Sequence, residues 1–299
     1  MIRFTWRLFK NTFSEFFADS ASNLGAALAF YTTFSIAPLL VISVAVASLF
    51  FGADAAQGQL KHDLVSLVGE DIAGGIQTMI AATSKQQHAG GISSLLGVVA
   101  LLFGATGVFV ALKDSMNTIW GVEPKPGLGL LRLIKDRALS FTMVISIGFL
   151  LLVSMILSTV LLAIDDLLAV PLPSARTTDF AISLMVITFM FMLIFKYLPD
   201  AEIRWRDVWM GALVTALLFM LGKYLIGLYF RYTAMSSAYG AAGSVVIFLL
   251  WAFYSSQILF FGAEFTKVYA RMRGRQIVPA PHAQAVAGNR RSISTNNES

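Results

Sequence analysis

Long apolar blocks alternate with short polar ones along this chain. Six of the apolar blocks, 24–51, 92–111, 138–164, 180–198, 208–230 and 243–263, are about 20 residues or longer. At roughly 1.5 Å per residue, a helix of that length crosses a hydrocarbon core about 30 Å thick. A helix buried in a water-soluble core rarely runs so far without a polar face, so the pattern predicts six membrane crossings. The last two blocks read as a transmembrane hairpin closed by the polar turn 231–242 and stopped by Arg271, Arg273 and Arg275. The first block carries Pro38, which lacks a backbone donor, so a bend around Ser35 to Pro38 is expected.

Two stretches outside the blocks are amphipathic. In residues 1–19, Phe4, Leu8, Phe9, Phe13, Phe16 and Phe17 recur at helical spacing, with Arg3, Arg7 and Lys10 elsewhere on the wheel. This predicts either a helix lying on the membrane surface or a plain helical lead-in to the first crossing. It does not read as a cleavable signal: the first apolar run starts only near Asn23 and no small-residue cleavage pattern follows it. The loop 52–91 places Leu60, Leu64, Leu67, Ile72, Ile76 and Ile80 on one stripe, so external amphipathic helices are expected there, broken at Gly74 and Gly75. Residues 276–299 are small and polar without periodicity. The domain reading is therefore an amphipathic segment 1–22, a six-helix transmembrane domain 23–273 and a disordered tail 274–299.

Composition supports lipid as the solvent. Only 13% of the 299 residues are charged, against about 25% in soluble domains, and the mean hydropathy is +0.73. Six crossings put both ends on one side. If that side is the cytoplasm, 17 of the Lys and Arg residues fall inside and 4 outside, with Lys223 left within a crossing. The positive-inside rule therefore predicts cytoplasmic termini. The absence of cysteine removes disulfides, thiolate metal sites and cysteine nucleophiles from consideration.

Candidate chemistry is sparse. Gly97, Ala100, Gly104, Gly107 and Ala111 form a small-residue stripe, as do Ser22, Gly25 or Ala26, Ala29 and Thr32 or Thr33; both suit close backbone packing, and a water-lined path is the other reading. Lys223 lies roughly 22 Å along its helix, on a stripe with Ala212, Ala216 and Gly227. A cation at that depth either meets a substrate or snorkels to the interface. At the opposite end Glu264, Lys113, Asp114 and Arg137 fall where crossings meet the cytoplasmic interface. They would either close a cavity as an ion-paired inner gate or stand as separate interfacial charges. Ser255, Ser256 and Gln257 form a polar belt near Trp251 and Tyr254, suited to a headgroup or to interhelical hydrogen bonds. The three histidines have no metal-ligand spacing, and no HExxH, GxxxxGK[ST] or GxSxG sequence occurs. No metal, cofactor or catalytic constellation is predicted, and the basic segments suit anionic lipid better than nucleic acid.

Several segments carry a family resemblance: 27–38 (ALAFYTTFSIAP), 117–122 (NTIWGV), 197–200 (YLPD), 205–212 (WRDVWMGA), 239–240 (YG), 250–254 (LWAFY) and 262–264 (GAE). With these the chain resembles the YihY/BrkB family of bacterial inner-membrane proteins, once labelled ribonuclease BN, over about residues 20–270. Asp200 departs from the family pattern, which has asparagine there. The resemblance implies an all-α, six-helix polytopic bundle in the bacterial inner membrane. It leans toward lipid-related transport and directs attention to Tyr31, Pro38, Tyr239, Gly240, Trp251, Tyr254 and Glu264. The leading expectation is a non-enzymatic protein that moves or accommodates a lipid-like or amphipathic substrate, an anionic lipid being the form whose negative group Lys223 would meet. The kinked first crossing would gate it, and Glu264 with Arg137 or Lys113 would close the inner side. A structural or assembly role, in which the bundle transports nothing, is the second expectation, and a homo-oligomer is compatible with either. A ribonuclease is the third.

Overall fold

A computed structural model describes residues 2–51, 92–126, 175–232 and 243–286, with isolated positions between 57 and 77. Helices α1 (Ile2–Ala18), α2 (Ala21–Phe51), α3 (Ile92–Trp120), α4 (Ala175–Tyr197), α5 (Trp205–Tyr232) and α6 (Gly243–Met272) carry it. Among the described residues, three stretches are long and apolar enough to cross a membrane: Ala21–Ile42, Trp205–Ile226 and Val245–Met272. The apolar part of α4, Ser183–Tyr197, is shorter. The predicted crossing at 138–164, together with Arg137, Tyr239 and Gly240, lies outside the described residues. What stands is a mostly helical membrane protein.

Glycine and other small residues set how the helices meet. α5 and α6 run antiparallel and exchange notches: a Cβ on Gly211 would overlap Thr266, and one on Gly262 would overlap Thr215. Each threonine hydroxyl donates back to the carbonyl of the glycine four residues earlier on its own helix, Thr215 to Gly211 and Thr266 to Gly262, both at 2.7 Å. The hydroxyls are thus satisfied where no water can reach them. Farther along, Gly222 receives the Tyr254 ring. The small-residue stripes expected on α2 and α3 serve packing as well. Pro38 lies against Gly104, Ser35 against Gly107, and the Gln257 side chain against Gly25. α2 remains helical through Pro38 to Phe51.

One face of α1 packs against α6. Leu8, Thr12 and Phe16, four residues apart, are buried. Phe9 and Phe13 meet Phe265 and Phe261 of α6 at ring separations of 5.6 and 5.1 Å. Full burial of side chains such as Leu8 and Phe16 contributes about 1.5–3 kcal/mol each. Trp6 and Phe17, by contrast, stay about 70% exposed, apolar surface suited to a lipid interface. Ser20, with φ of 52°, turns the chain out of α1, and its carbonyl accepts the Asn23 N–H that opens α2.

At the end of the bundle where α6 finishes, four short strands join the helices, and two of them lie in the segment after 274. β1 (Val122–Pro124) pairs antiparallel with β4 (Ala283–Ala285), and β2 (Ala201–Glu202) with β3 (Val278–Pro279). Lys125 adds a 2.7 Å bond from its ammonium to the Pro281 carbonyl. Periodicity could not announce strands of two and three residues, whose order comes from pairing across more than 70 positions of sequence.

Candidate functional site

Side-chain chemistry concentrates at this same end, where α1, the start of α2, the ends of α3 and α4, the start of α5 and the end of α6 converge. Its centre is Lys267, 2% exposed on α6. The Lys267 ammonium contacts the Asp19 carboxylate, Glu15 at 3.0 Å and Glu264 at 2.8 Å, and donates to the Ile119 carbonyl at 3.0 Å. One cation thereby ties the α1–α2 corner, the end of α3 and α6 together. Arg271, one turn on, reaches Glu15 at 3.1 Å.

The carboxylates of Glu15, Asp19 and Glu264 lie within 4.8 Å of one another, as a metal site would require, but the cation among them is the lysine itself. Glu264 is fully buried, and although Lys267 is close, neither of its oxygens accepts a well-formed hydrogen bond. Beside the cluster lies a cleft of about 480 Å³ lined by Glu15, Asp19, Thr118, Glu123, Lys267 and Arg271, among others.

A second hub is Asp200, in the short link from α4 to α5. Asn117 and Asp200 pair reciprocally: the Asn117 amide donates to Asp200 Oδ2 at 2.9 Å, and the Asp200 N–H donates to Asn117 Oδ1 at 2.8 Å. The other carboxylate oxygen meets His282 Nε2 at 2.9 Å and Lys113 Nζ at 3.2 Å, while the Asp200 carbonyl accepts from Ala280. Burial alone would raise the Asp200 carboxyl; hydrogen bonds with His282 and Asn117 and the charge of Lys113 outweigh it, holding the group below its ordinary value. Asp207 is likewise buried and pairs with Arg275.

The expected inner gate is thus assembled differently. Glu264 takes Lys267 as its partner, Lys113 goes to Asp200, and Asp114 is exposed with its carbonyl accepting from Thr118. Sequence alone places Lys267 only among the 17 cations counted on the cytoplasmic side. Its signal was positional: it falls seven residues after Phe260 and four after Ala263, on a stripe buried throughout.

The residues proposed to meet a substrate are spread over three interfaces. Tyr31 and Pro38 sit where α2 meets α3. Trp251 stacks with Phe248 at 6.0 Å and meets the edge of Phe219 at 6.4 Å, Tyr254 fills the notch at Gly222, and Lys223 is half-buried beside that notch. Gln257 donates to the Ser22 carbonyl at 3.1 Å, a tie between α6 and α2.

A sequence profile described as Virulence factor BrkB matches residues 12–287. Proteins named UPF0761 membrane protein are similar over most of the chain. One from Pseudomonas paraeruginosa is 31% identical over 83% of this chain and 59% of its own length. Another, from Verminephrobacter eiseniae, is 31% identical over 88% and 62%, and one from Legionella pneumophila 26% over 93% and 66%. The chain therefore spans about three fifths of the length of these relatives. No solved structure matches it.

Proposed function

Since this chain belongs to the BrkB family of integral membrane proteins, we propose that it crosses the bacterial inner membrane six times and accommodates or moves an amphipathic, lipid-like substrate without acting as an enzyme. Support for the crossing number is topological. α3 and α4 both end at the charged end of the bundle, joined there by Asn117 and Asp200. A chain that leaves Trp120 at that end and starts α4 at the other needs an odd number of traverses between them, and the block 138–164 supplies one. Support for cytoplasmic termini is the crowd of cations at this end, from Lys113 and Lys196 through Arg204 and Arg206 to Arg275.

The observation that carries the substrate reading is Lys223. It is a half-buried cation on a helix whose other side chains at that depth are apolar. Desolvating an ammonium is costly, and within lipid such a group marks a place where an anion or polar headgroup is met. The Lys267 cluster then closes the cytoplasmic end, in the place first assigned to Lys113 and Arg137. A structural role without transport is the second reading, favoured by the way Pro38 and Gln257 are spent on helix contacts.

Reconstitution tests both. In proteoliposomes, fluorescent anionic lipid should exchange between leaflets faster than in empty vesicles, and Lys223→Ala should slow it. Equal rates for wild type and Lys223→Ala would remove Lys223 from the mechanism; rates equal to protein-free vesicles across a broad lipid panel would favour the structural role. Metal-dependent RNA cleavage by the highly purified protein, absent from a mock preparation, would favour a ribonuclease.

A further inference from the structure

Three helix ends frame a cleft of about 840 Å³ on the side of the charged end away from Lys267: Lys196 closes α4, Trp205 opens α5 and Ala270 lies in the last turns of α6. The segment from Gly274 to Val278 forms its far wall. Three cations, Lys196, Arg204 and Arg275, line it against two carboxylates, Glu202 and Asp207. One cation and one carboxylate are spent on each other, since Arg275 pairs with Asp207. Lys196 is held in place by donating to the Ile203 carbonyl at 2.5 Å and lies 5.8 Å from the Trp205 ring centroid, which leaves two ammonium donors. Arg204 is exposed and makes no ion pair among the described residues.

We infer that this cleft binds a phosphate group, with Arg204 and Lys196 as its ligands, and that the phosphate is that of an anionic lipid headgroup. A guanidinium fork beside a fixed ammonium suits a tetrahedral oxyanion. The lipid source follows from what continues out of the cleft. Tyr197 and Trp205 stand edge to face at 5.9 Å and are both largely exposed, with Trp209 one turn farther along α5. Exposed apolar side chains then run up the adjoining faces, Phe189 and Leu193 on α4 and Leu217 and Leu221 on α5. Amphipathic rings at a headgroup level above an apolar wall are the arrangement that seats a lipid with its head in the cleft. This site lies at the helix ends, far along α5 from Lys223, and does not depend on whether the bundle transports.

The test uses the full chain in nonionic detergent, with dioctanoyl phosphatidylglycerol, dioctanoyl phosphatidylcholine and inorganic phosphate as probes and dissociation constants read by thermophoresis. Phosphatidylglycerol should bind more tightly than phosphatidylcholine, and Arg204→Gln should weaken it about tenfold, the loss of one charge-assisted contact. Arg3→Gln, the same charge change on exposed α1, should leave it unaltered. Because the Arg204 side chain makes no ion pair or hydrogen bond among the described residues, and its carbonyl contacts with Asp207 and Val208 are kept in the variant, melting without ligand should not move. Inorganic phosphate binding as tightly as the lipid, and equally weakened by Arg204→Gln, would retain the phosphate site and assign it to a free anion. Phosphatidylglycerol binding that is undetectable, unchanged in Arg204→Gln, or reduced as much by Arg3→Gln, would overturn the inference.

Discussion

Replacing Lys267 by methionine keeps most of the side-chain volume and removes the cation at the centre of the charged end. The carboxylates of Glu15, Asp19 and Glu264 would then remain within 4.8 Å of one another. Glu15 keeps Arg271 at 3.1 Å, but Glu264, fully buried, loses the ammonium now 2.8 Å away. Removing one partner from a buried ion pair costs about 3–5 kcal/mol, because the charge left behind is neither paired nor hydrated. For a chain this size that is a fall of roughly 6–15 °C in thermal unfolding.

Replacing the other partner should not do the same. In Glu264→Gln the ammonium keeps Asp19, Glu15 and the Ile119 carbonyl, three acceptors for its three N–H groups. Glu264 brings no well-formed hydrogen bond to lose, and its substitution takes a charge out of a buried site. The expected change is within about 1 kcal/mol of wild type, in either direction. Lys267→Met combined with Glu264→Gln should recover part of the loss, a coupling that a double-mutant cycle reads directly. Fluorescence-monitored melting of the four proteins in one detergent is the assay. A Lys267→Met melting point within a degree of wild type, or equal losses in the two single variants, would refute the account of Lys267 as the shared cation.

Two further outcomes follow from packing and from charge. Gly262→Ala should destabilise by about 1–2 kcal/mol, overpacking against Thr215 outweighing alanine's better helix propensity; Gly74→Ala, whose Cβ would meet open space, is the control, and equal melting of the two would discard the notch argument. Asp200 has its folded value held below the ordinary 3.8, so its stabilisation is complete above that value and is lost as pH falls through the lower folded one. Asp200→Asn should therefore melt below wild type at neutral pH by about 1–2 kcal/mol, with the gap narrowing only below about pH 3.8, as denaturation followed by circular dichroism would show; a gap that does not change with acidification would remove the charge from the explanation.

Helix positions were legible in the sequence because lipid imposes a strong rule: a spanning segment satisfies its own backbone and presents apolar side chains for about 20 residues. α2, α5 and α6 obey it, although their apolar stretches, Ala21–Ile42, Trp205–Ile226 and Val245–Met272, are offset from the blocks 24–51, 208–230 and 243–263. The glycine and alanine stripes were legible for a related reason, since close backbone approach needs a missing Cβ, and Gly104, Gly107 and Gly25 are filled as such notches are. Partner choice was not legible. Lys113 and Glu264 both belong to the charged end, but which carboxylate meets which cation depends on the rotation of α3 against α6. That rotation is fixed by bulk, by Trp120 and Phe260 among the fully buried side chains, and not by the charges.

The segments carrying the family resemblance acquire a physical reading from this. Asn117 from NTIW and Asp200 from YLPD, far apart in sequence, bond each other; Glu264 from GAE sits beside Lys267; Asp207 and Gly211 from WRDVWMGA take Arg275 and Thr266. All of these contacts lie at one end of the bundle. On the proposed lipid-moving role, one end of the bundle would be held while the other parts, and the ion pairs around Lys267 and Asp200 would hold theirs. Lys267→Met should therefore loosen the charged end as well as lower the melting point. In the same proteoliposomes it should raise leakage of a small entrapped dye while Lys223→Ala does not, and equal leakage from the two variants would leave the bundle without this division between a fixed and a moving end.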